Sequence, residues 1–334
     1  MKLQNIYILP IQNHYFFKIT FLLYIIFTFI TNNNDIYNYS NLSKKVELYN
    51  NSTKFVIIQK KISYSPRGLM SYYYHNLGCA IEYILKGYIP IIDLASHPNM
   101  FNGFNITKDY NPWEKFFDQP FDLTLNEVLN KSNNVTFVDC DMGRITPDFY
   151  IYYSYSKINL WHNLAKTYMP LKKEFIREAN NKYRILFGRS NNVLGVLVRG
   201  TDYTARKSKG HPIQPSAELV MEDITKMDNK YKYDFIFLTT EDENIRRKII
   251  GRFDKKIKYN KSKINLNYDY NKKELLVVSN NNIGNINFTK IYLINIIILS
   301  KCIDVIVSRT GGSLVAFILS NGFRHIKAYN LGLY

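Results

Sequence analysis

The sequence has few of the residues that build disulfide scaffolds or cysteine metal sites. It contains 3 cysteines, Cys79, Cys140 and Cys302, which lie far apart and form no Cys-x-x-Cys pair. An odd number of cysteines at wide spacing predicts buried thiols in a reducing compartment. It also argues against a metal site made from them, and no other metal site is expected.

Acidic residues are also scarce. The chain has 27 Asp and Glu against 44 Lys and Arg, which gives a formal net charge of +17. Such a balance indicates an anionic partner, either a nucleic acid, a phosphorylated metabolite or an anionic membrane surface. There is no zinc-finger spacing, and the basic residues are scattered rather than interleaved with aromatic residues in one stripe. We therefore expect no nucleic-acid partner.

The known phosphate-binding fingerprints are missing as well. Neither a Walker A loop nor a Gly-x-Gly-x-x-Gly sequence occurs in the 334 residues. The length and a hydrophobic content of 46% predict two folded lobes.

An uncharged apolar run, Ile19–Thr31, lies near the N-terminus. With the preceding aromatic residues it makes the segment 15–31 long enough for a membrane anchor or a membrane-surface segment. A buried N-terminal helix remains an alternative. No small-residue cleavage site follows, which disfavours a signal peptide. Residues 32–54 are polar and predict a linker, so 1–54 stand apart from the folded lobes.

The first lobe is expected over residues 55–188. A buried strand, Phe55–Gln59, is followed by a turn, a helix that ends at Gly87 and a second strand, Ile89–Leu94. This order predicts a parallel β-α-β unit. Arg67 and Gly68 in the turn lie where a helix N-terminus can receive an anion.

Two later stretches of this lobe have open interpretations. The aromatic cluster around Trp113 is either a small satellite core or a platform for a sugar. Residues 158–187 have a helical pattern, and they either close the first lobe or bridge to the second.

The second lobe is expected over residues 189–334. Short apolar runs alternate there with helix-length patterns, which predicts a doubly wound parallel sheet. The predicted strands are Val193–Val198, Asp234–Leu238, Lys255–Tyr259, Ile303–Val307 and Ile326–Tyr329.

Three of these strands end in polar, partly glycine-rich turns: Arg199–Asp202, Thr239–Asp242 and Ser308–Ser313. Since the carboxyl ends of parallel strands share one edge of a sheet, the three turns are expected to converge into a nucleotide-diphosphate site. The candidate binding residues are Arg67, Gly68, Arg199, Thr240, Glu241, Asp242, Ser308, Thr310, Gly311, Gly312 and Ser313. The candidate catalytic residues are Arg199, Asp202 and His211.

Several of these residues have a second interpretation. Glu241 and Asp242 either accept hydrogen bonds from a ribose or base, or cap the following helix. Asp202 is either a general base or the acceptor of an Asx-type turn bond, and His211 is a base, a phosphate ligand or an ordinary loop residue.

The motifs resemble those of a known family. Arg199–Tyr203, after an apolar strand, is similar to the His-x-Arg-x-Gly-Asp-Tyr-type motif of the α-1,2-, α-1,6- and protein O-fucosyltransferase superfamily. Related bacterial surface-polysaccharide glycosyltransferases share this similarity. Phe237–Asp242 and Ile306–Ser313 resemble the second and third motifs of the superfamily, and Arg67–Leu69 resembles its N-terminal Gly-rich loop.

The resemblance implies an α/β fold of the GT-B type, in which two Rossmann-like lobes with parallel sheets face a cleft. The first lobe would serve the acceptor, and the second would bind GDP-fucose without a metal or other cofactor. The motif arginine that holds the donor diphosphate corresponds to Arg199. Leu197 and Gly200 depart from the pattern, which leaves another nucleotide sugar open as the donor.

These observations predict a metal-independent inverting glycosyltransferase that moves a sugar onto a glycan or lipid-linked glycan during surface-polysaccharide synthesis. Fucose is the first candidate for that sugar. The expected location is the cytoplasmic face of a membrane, with contact through residues 15–31. A non-catalytic nucleotide- or glycan-binding protein of the same fold is the alternative.

Overall fold

The computed structural model describes residues 53–59, 68–99, 101, 110–132, 134–139, 145–200, 203–204, 207–260, 268–269, 274–275 and 282–334. The segment 15–31, Arg67 and Asp202 lie outside the described residues. None of the helices in the described ranges is long and apolar enough to cross a bilayer.

The first half of the chain forms a small parallel sheet. Its strands are β1 (Phe55–Gln59), β2 (Ile89–Ile92) and β3 (Val135–Asp139), in the order β2-β1-β3. The predicted β-α-β unit is confirmed, with helix α1 (Leu69–Leu85) between β1 and β2. Gly87 adopts φ 80° in the turn after this helix, a conformation that glycine adopts without strain.

The second half forms a larger parallel sheet. Its strands are β4 (Val193–Leu197), β5 (Phe235–Thr239), β6 (Ile257–Lys258), β9 (Asp304–Ser308) and β10 (His325–Tyr329). They lie in the order β10-β9-β4-β5-β6. A separate hairpin consists of β7 (Tyr268–Asp269) and β8 (Glu274–Leu275). The predicted parallel α/β architecture is therefore confirmed.

The remaining helices connect and cover the sheets. They are α2 (Trp113–Phe116), α3 (Leu125–Lys131), α4 (Tyr155–Tyr168), α5 (Lys173–Phe187), α6 (Ala217–Tyr231), α7 (Glu243–Phe253), α8 (Asn282–Leu299) and α9 (Gly311–Leu319). Single 3₁₀ turns occur at Pro120–Asp122, Phe149–Tyr153 and Asp254–Lys256.

The predicted helical stretch 158–187 is two helices rather than one. Helix α4 ends at Tyr168 and α5 begins at Lys173, with Pro170 between them. Proline lacks a backbone N–H and disfavours a helical residue before it, so the chain turns here. Helix α5 packs along α8, and α4 packs on α9. The stretch therefore bridges to the second sheet.

One hydrophobic core joins the two halves. Tyr73 and Leu77 of α1 belong to the same buried cluster as Leu197 of β4 and Phe317 of α9. Trp113 is fully buried in this cluster too. Trp113 therefore belongs to the main core rather than to a separate satellite core, and its ring is not exposed for a sugar.

Cys140 lies outside the described residues, and the other two cysteines differ from each other. Cys302 is a free, buried thiol, and burial raises its pKa far above the usual range. Cys79, in contrast, is disulfide-bonded. The prediction of a reduced thiol is wrong at this position, because sequence spacing does not reveal which cysteines lie next to each other.

Candidate functional site

The three polar turns do meet at one edge of the second sheet. Leu197, the last residue of β4, is in register with Thr239 of β5 on one side and with Val307 of β9 on the other. The next strands of this sheet along the chain, β5 and β6, lie on one side of β4, and the later strands β9 and β10 lie on its other side. The strand order therefore reverses between β4 and β9, and a ligand crevice is expected beyond the carboxyl ends at such a point.

Arg199 occupies the centre of this edge. Its Nε lies 3.0 Å from Oε1 of Glu241, and the two side chains are 17% and 7% exposed. The same carboxylate oxygen accepts a hydrogen bond of 3.0 Å from the backbone N–H of Gly200. Glu241, which follows β5, thus fixes both the guanidinium and the backbone of the turn after β4.

Tyr292 of α8 completes the surroundings of Arg199. Burial raises the pKa of Tyr292 to about 12, while a hydrogen bond from the Arg199 side chain acts in the opposite direction. The phenol is therefore neutral at ordinary pH and accepts from the guanidinium. Sequence reasoning missed Tyr292, because it lies 93 positions after Arg199 (292 − 199) inside an apolar helix pattern.

The helix-capping interpretation of the acidic pair is correct for Asp242 alone, and hydrogen bonds from a ribose or base to either carboxylate stay a prediction. Asp242 caps α7, since its side chain accepts from the N–H groups of Asn244 and Ile245 at 2.9 and 3.0 Å. Glu241 instead makes the ion pair with Arg199. The Thr240 hydroxyl accepts from the Asp242 N–H at 3.1 Å, so the turn after β5 is held mainly by its own side chains.

The turn after β9 presents the N-terminus of α9 to the crevice. Thr310 caps the helix by accepting from the Ser313 N–H at 3.2 Å, and the Ser313 hydroxyl donates to the Ser308 carbonyl at 2.6 Å. The N–H groups of Gly311 and Gly312 precede those used by this cap. Unbonded N–H groups at a helix N-terminus attract anions.

Ser308 adds a polar atom beneath this turn. Its hydroxyl oxygen is buried and makes no hydrogen bond within the described ranges of the chain. A buried hydroxyl without a partner is costly. Contact of this fully buried oxygen with a bound group stays a prediction.

The start of α1 lies against the start of α9. A methyl group added at Gly311 would be 3.4 Å from Cε1 of Tyr74 and 3.5 Å from the Ser71 nitrogen. Gly68 is the N-cap of α1, and neither a side-chain cap nor an acidic residue occupies the first turn of this helix. The first turns of α1, which begins after Gly68, thus lie against Gly311 at the start of α9.

His211 lies further from the centre. Its ring centroid is 5.5 Å from that of Tyr203, whose ring is 5.2 Å from Cζ of Arg199. Tyr203 therefore contacts both His211 and the arginine. Its roles as base or phosphate ligand remain predictions.

A second arginine, Arg309, borders the crevice and was also missed. It directly precedes the Thr310 cap, and its Nη1 lies 3.4 Å from the Tyr150 hydroxyl. Its Cζ is 5.3 Å from the centroid of the Tyr150 ring. Tyr150 and Tyr153 have parallel rings, 2° apart with centroids at 6.0 Å, and are 36% and 73% exposed. The only sequence signal was the tyrosine-rich stretch at 150–155.

No group of three or more His, Cys, Asp or Glu side chains in the described part of the chain is placed to hold a metal ion. The metal-free reaction remains a prediction.

A substitution at Gly312 tests how closely the start of α9 packs against Tyr292 of α8. A methyl group there would overlap the Tyr292 hydroxyl oxygen and lie 3.2 Å from Cδ1 of Ile296. We expect Gly312→Ala to lower the free energy of unfolding by about 1–3 kcal/mol, because an overpacked interior has to shift. Denaturant unfolding measures this. In the double variant with Tyr292→Phe, part of the loss should be recovered; additive losses would show that the two residues do not compete for space.

Comparisons with known proteins identify similar structures only. No protein-family model and no curated protein matches the sequence. The fucosyltransferase NodZ from Bradyrhizobium is similar over 80% of this chain and 92% of its own, with 14% identity and a TM-score of 0.49. POFUT1 in complex with GDP-fucose is similar over 84% of this chain and 99% of its own, with 8% identity and a TM-score of 0.47.

At these identities and TM-scores, the similarity concerns the path of the backbone. The chemistry has to be inferred from the residues of this chain.

Proposed function

We propose that the chain is a metal-independent, inverting glycosyltransferase of GT-B type that uses a nucleotide sugar as its donor. GDP-fucose is the first candidate donor. The observation that supports this most is the position of Arg199. It lies at the reversal of strand order, and Tyr292 links it to the glycine-rich start of α9. A fixed cation beside a helix N-terminus suits a diphosphate.

The proposed reaction is a direct displacement. The bond between the anomeric carbon and the donor phosphate oxygen breaks, and its electron pair leaves with the nucleoside diphosphate. The acceptor hydroxyl oxygen forms the new bond from the opposite face. Its proton passes to a base, for which Asp202 and His211 are the candidates.

Arg199 acts on the leaving group in this proposal. Negative charge grows on the diphosphate as the bond breaks, and a cation already held in position stabilises it without reorganisation. Glu241 and Tyr292 hold the guanidinium in that position. The start of α9 adds backbone N–H groups, and the start of α1 approaches from the other sheet.

A donor screen tests this function. Thermal unfolding is measured with GDP, GDP-fucose, GDP-mannose, UDP-glucose and no addition. A ligand at 100 times its Kd stabilises the folded state by about 2.7 kcal/mol, so GDP-fucose should raise the Tm clearly. A shift with another nucleotide sugar alone would change the proposed donor. No shift with any nucleoside diphosphate would contradict the proposal, and binding without turnover of any donor would favour a non-catalytic binding protein.

We propose that the acceptor glycan lies on Tyr150 and Tyr153. Their rings are exposed and parallel, and Arg309 joins them to the turn before α9. Aromatic rings offer an apolar face together with a polar edge, and such exposed patches often mark binding sites. The arginine can donate to acceptor hydroxyl groups.

Tyr153→Ala is expected to raise the KM for the acceptor by about 3- to 10-fold, because one stacking face is lost. The Kd for GDP should not change. Tyr155→Ala is the matched control, since Tyr155 is also exposed but lies against Gly322. Initial rates at varied acceptor concentration give the KM values. An equal change in both variants would contradict the assignment.

We further propose that the protein works at a membrane surface through residues 15–31. The cytoplasmic side stays a prediction, and the disulfide at Cys79 argues against it, because such bonds persist in oxidising compartments. Mass spectrometry of the alkylated protein without reductant determines the state of Cys79. A free thiol would favour the cytoplasmic side.

A further inference from the structure

A cavity of about 730 Å³ lies at the opposite edge of the second sheet from the candidate site. Residues that precede the strands line it, among them Asn191 before β4, Ile303 before β9 and Asn321 before β10. The crevice described above lies beyond the other ends of the same strands. The cavity is therefore separate from the proposed donor site.

The wall of this cavity is mainly apolar. Met169 at the end of α4, Ile297 of α8 and Ile318 of α9 are buried side chains that contribute to it. His162 adds one ring to the wall. Burial lowers the pKa of His162, and its Nδ1 lies 3.1 Å from the Ile318 carbonyl oxygen, so the imidazole is mostly neutral at pH 7.

The charged residues of the lining are all cations. Lys166, Lys301 and Arg324 contribute to it, and no Asp or Glu does. Arg324 is neutralised by a two-point contact with Asp304, at 2.6 and 3.2 Å. Neither lysine forms an ion pair with any carboxylate in the described ranges, and both are exposed at the mouth. An apolar chamber whose mouth carries two such ammonium groups is complementary to an amphiphile with an anionic head.

We propose that this cavity binds a small amphiphile that has a single apolar chain and one phosphate-type anionic head. The chain occupies the apolar wall region, and the head lies between Lys166 and Lys301. The inference does not depend on the proposed transferase activity.

Mono-octyl phosphate serves as the probe, titrated by calorimetry into the full-length protein. Inorganic phosphate tests the head alone, and 1-octanol tests the chain alone. We expect the octyl phosphate to bind at least about 10-fold more tightly than either part, because both contacts contribute. Equal binding of 1-octanol, or no binding beyond that of inorganic phosphate, would overturn the proposal.

Charge variants test the head site. Lys166→Gln with Lys301→Gln should weaken octyl phosphate binding by about 5- to 10-fold, as expected for two partly solvated charge pairs. Lys157→Gln with Lys173→Gln is the matched control, since these exposed lysines lie in α4 and α5 outside the lining. Equal weakening in both double variants would mean that net charge rather than this site binds the probe.

Two further measurements locate the ligand. Asn321→Trp places a large ring at the exposed mouth and should remove binding. Hydrogen exchange should slow at 299–303 and 318–324 on addition of octyl phosphate, while 239–245 should not change. Protection at 239–245 instead would place the ligand in the donor crevice and overturn the assignment.

Discussion

Arg199→Ala is expected to lower kcat for sugar transfer by about 10²- to 10³-fold, the usual cost of removing one preorganised group that stabilises developing negative charge. The Kd for GDP should rise as well, because the diphosphate loses a charged donor. Single-turnover transfer with saturating donor measures the rate, and calorimetry measures the Kd.

In this test, a loss of transfer activity has to be distinguished from a loss of stability. Removal of Arg199 leaves Glu241, which is 7% exposed, without its counter-charge, and breaking such a pair costs about 3–5 kcal/mol. The double variant Arg199→Gln with Glu241→Gln replaces both charges by neutral amides and should recover much of the stability. It should still be inactive. Unchanged transfer by a folded Arg199 variant would refute the assigned role.

Asp304→Ala is expected to lower the free energy of unfolding by about 3–5 kcal/mol, because it leaves the buried Tyr233 hydroxyl and the His325 backbone N–H without their acceptor and removes the carboxylate that pairs with Arg324. Asp304 is fully buried at the start of β9. It accepts hydrogen bonds from Arg324, from the Tyr233 hydroxyl and from the His325 N–H, and these bonds tie β9 to β10 and to the residues before β5.

Denaturant unfolding measures this loss, and Glu222→Ala is the control because Glu222 is an exposed acidic residue of α6. Exposed substitutions of this kind change stability by no more than about 0.5 kcal/mol. An Asp304 variant that unfolds at the wild-type denaturant concentration would contradict the structural role.

The effect of Asp304 depends on pH in a defined direction. Burial alone would raise the pKa of Asp304, but hydrogen bonds from Arg324 and Tyr233 outweigh it and hold the pKa below the usual range. The unfolded chain therefore takes up the proton first. The stabilisation is complete above about pH 4, the ordinary pKa of aspartate, and is lost as the pH falls through the lower folded value. The difference between wild type and variant should shrink below pH 4.

The sequence by itself determined the elements and the edge of the sheet on which the candidate site lies. Apolar runs located β4, β5 and β9. Serine is also a residue that favours helix starts, and the Ser216 hydroxyl before α6 accepts from the Leu219 N–H. Because parallel strands end on one side, the polar turns after these strands were expected to meet. Periodicity and capping depend on neighbours along the chain, so a single sequence contains that information.

Only the tertiary structure decided which side chains touch. It paired Arg199 with Glu241 and Tyr292, placed Arg309 against Tyr150, bonded Cys79 in a disulfide and formed a cavity at the amino ends of the strands of the second sheet. Each of these features brings together residues that are tens of positions or more apart. Such contacts follow from how helices pack across the sheets, and the sequence around each residue does not specify that packing.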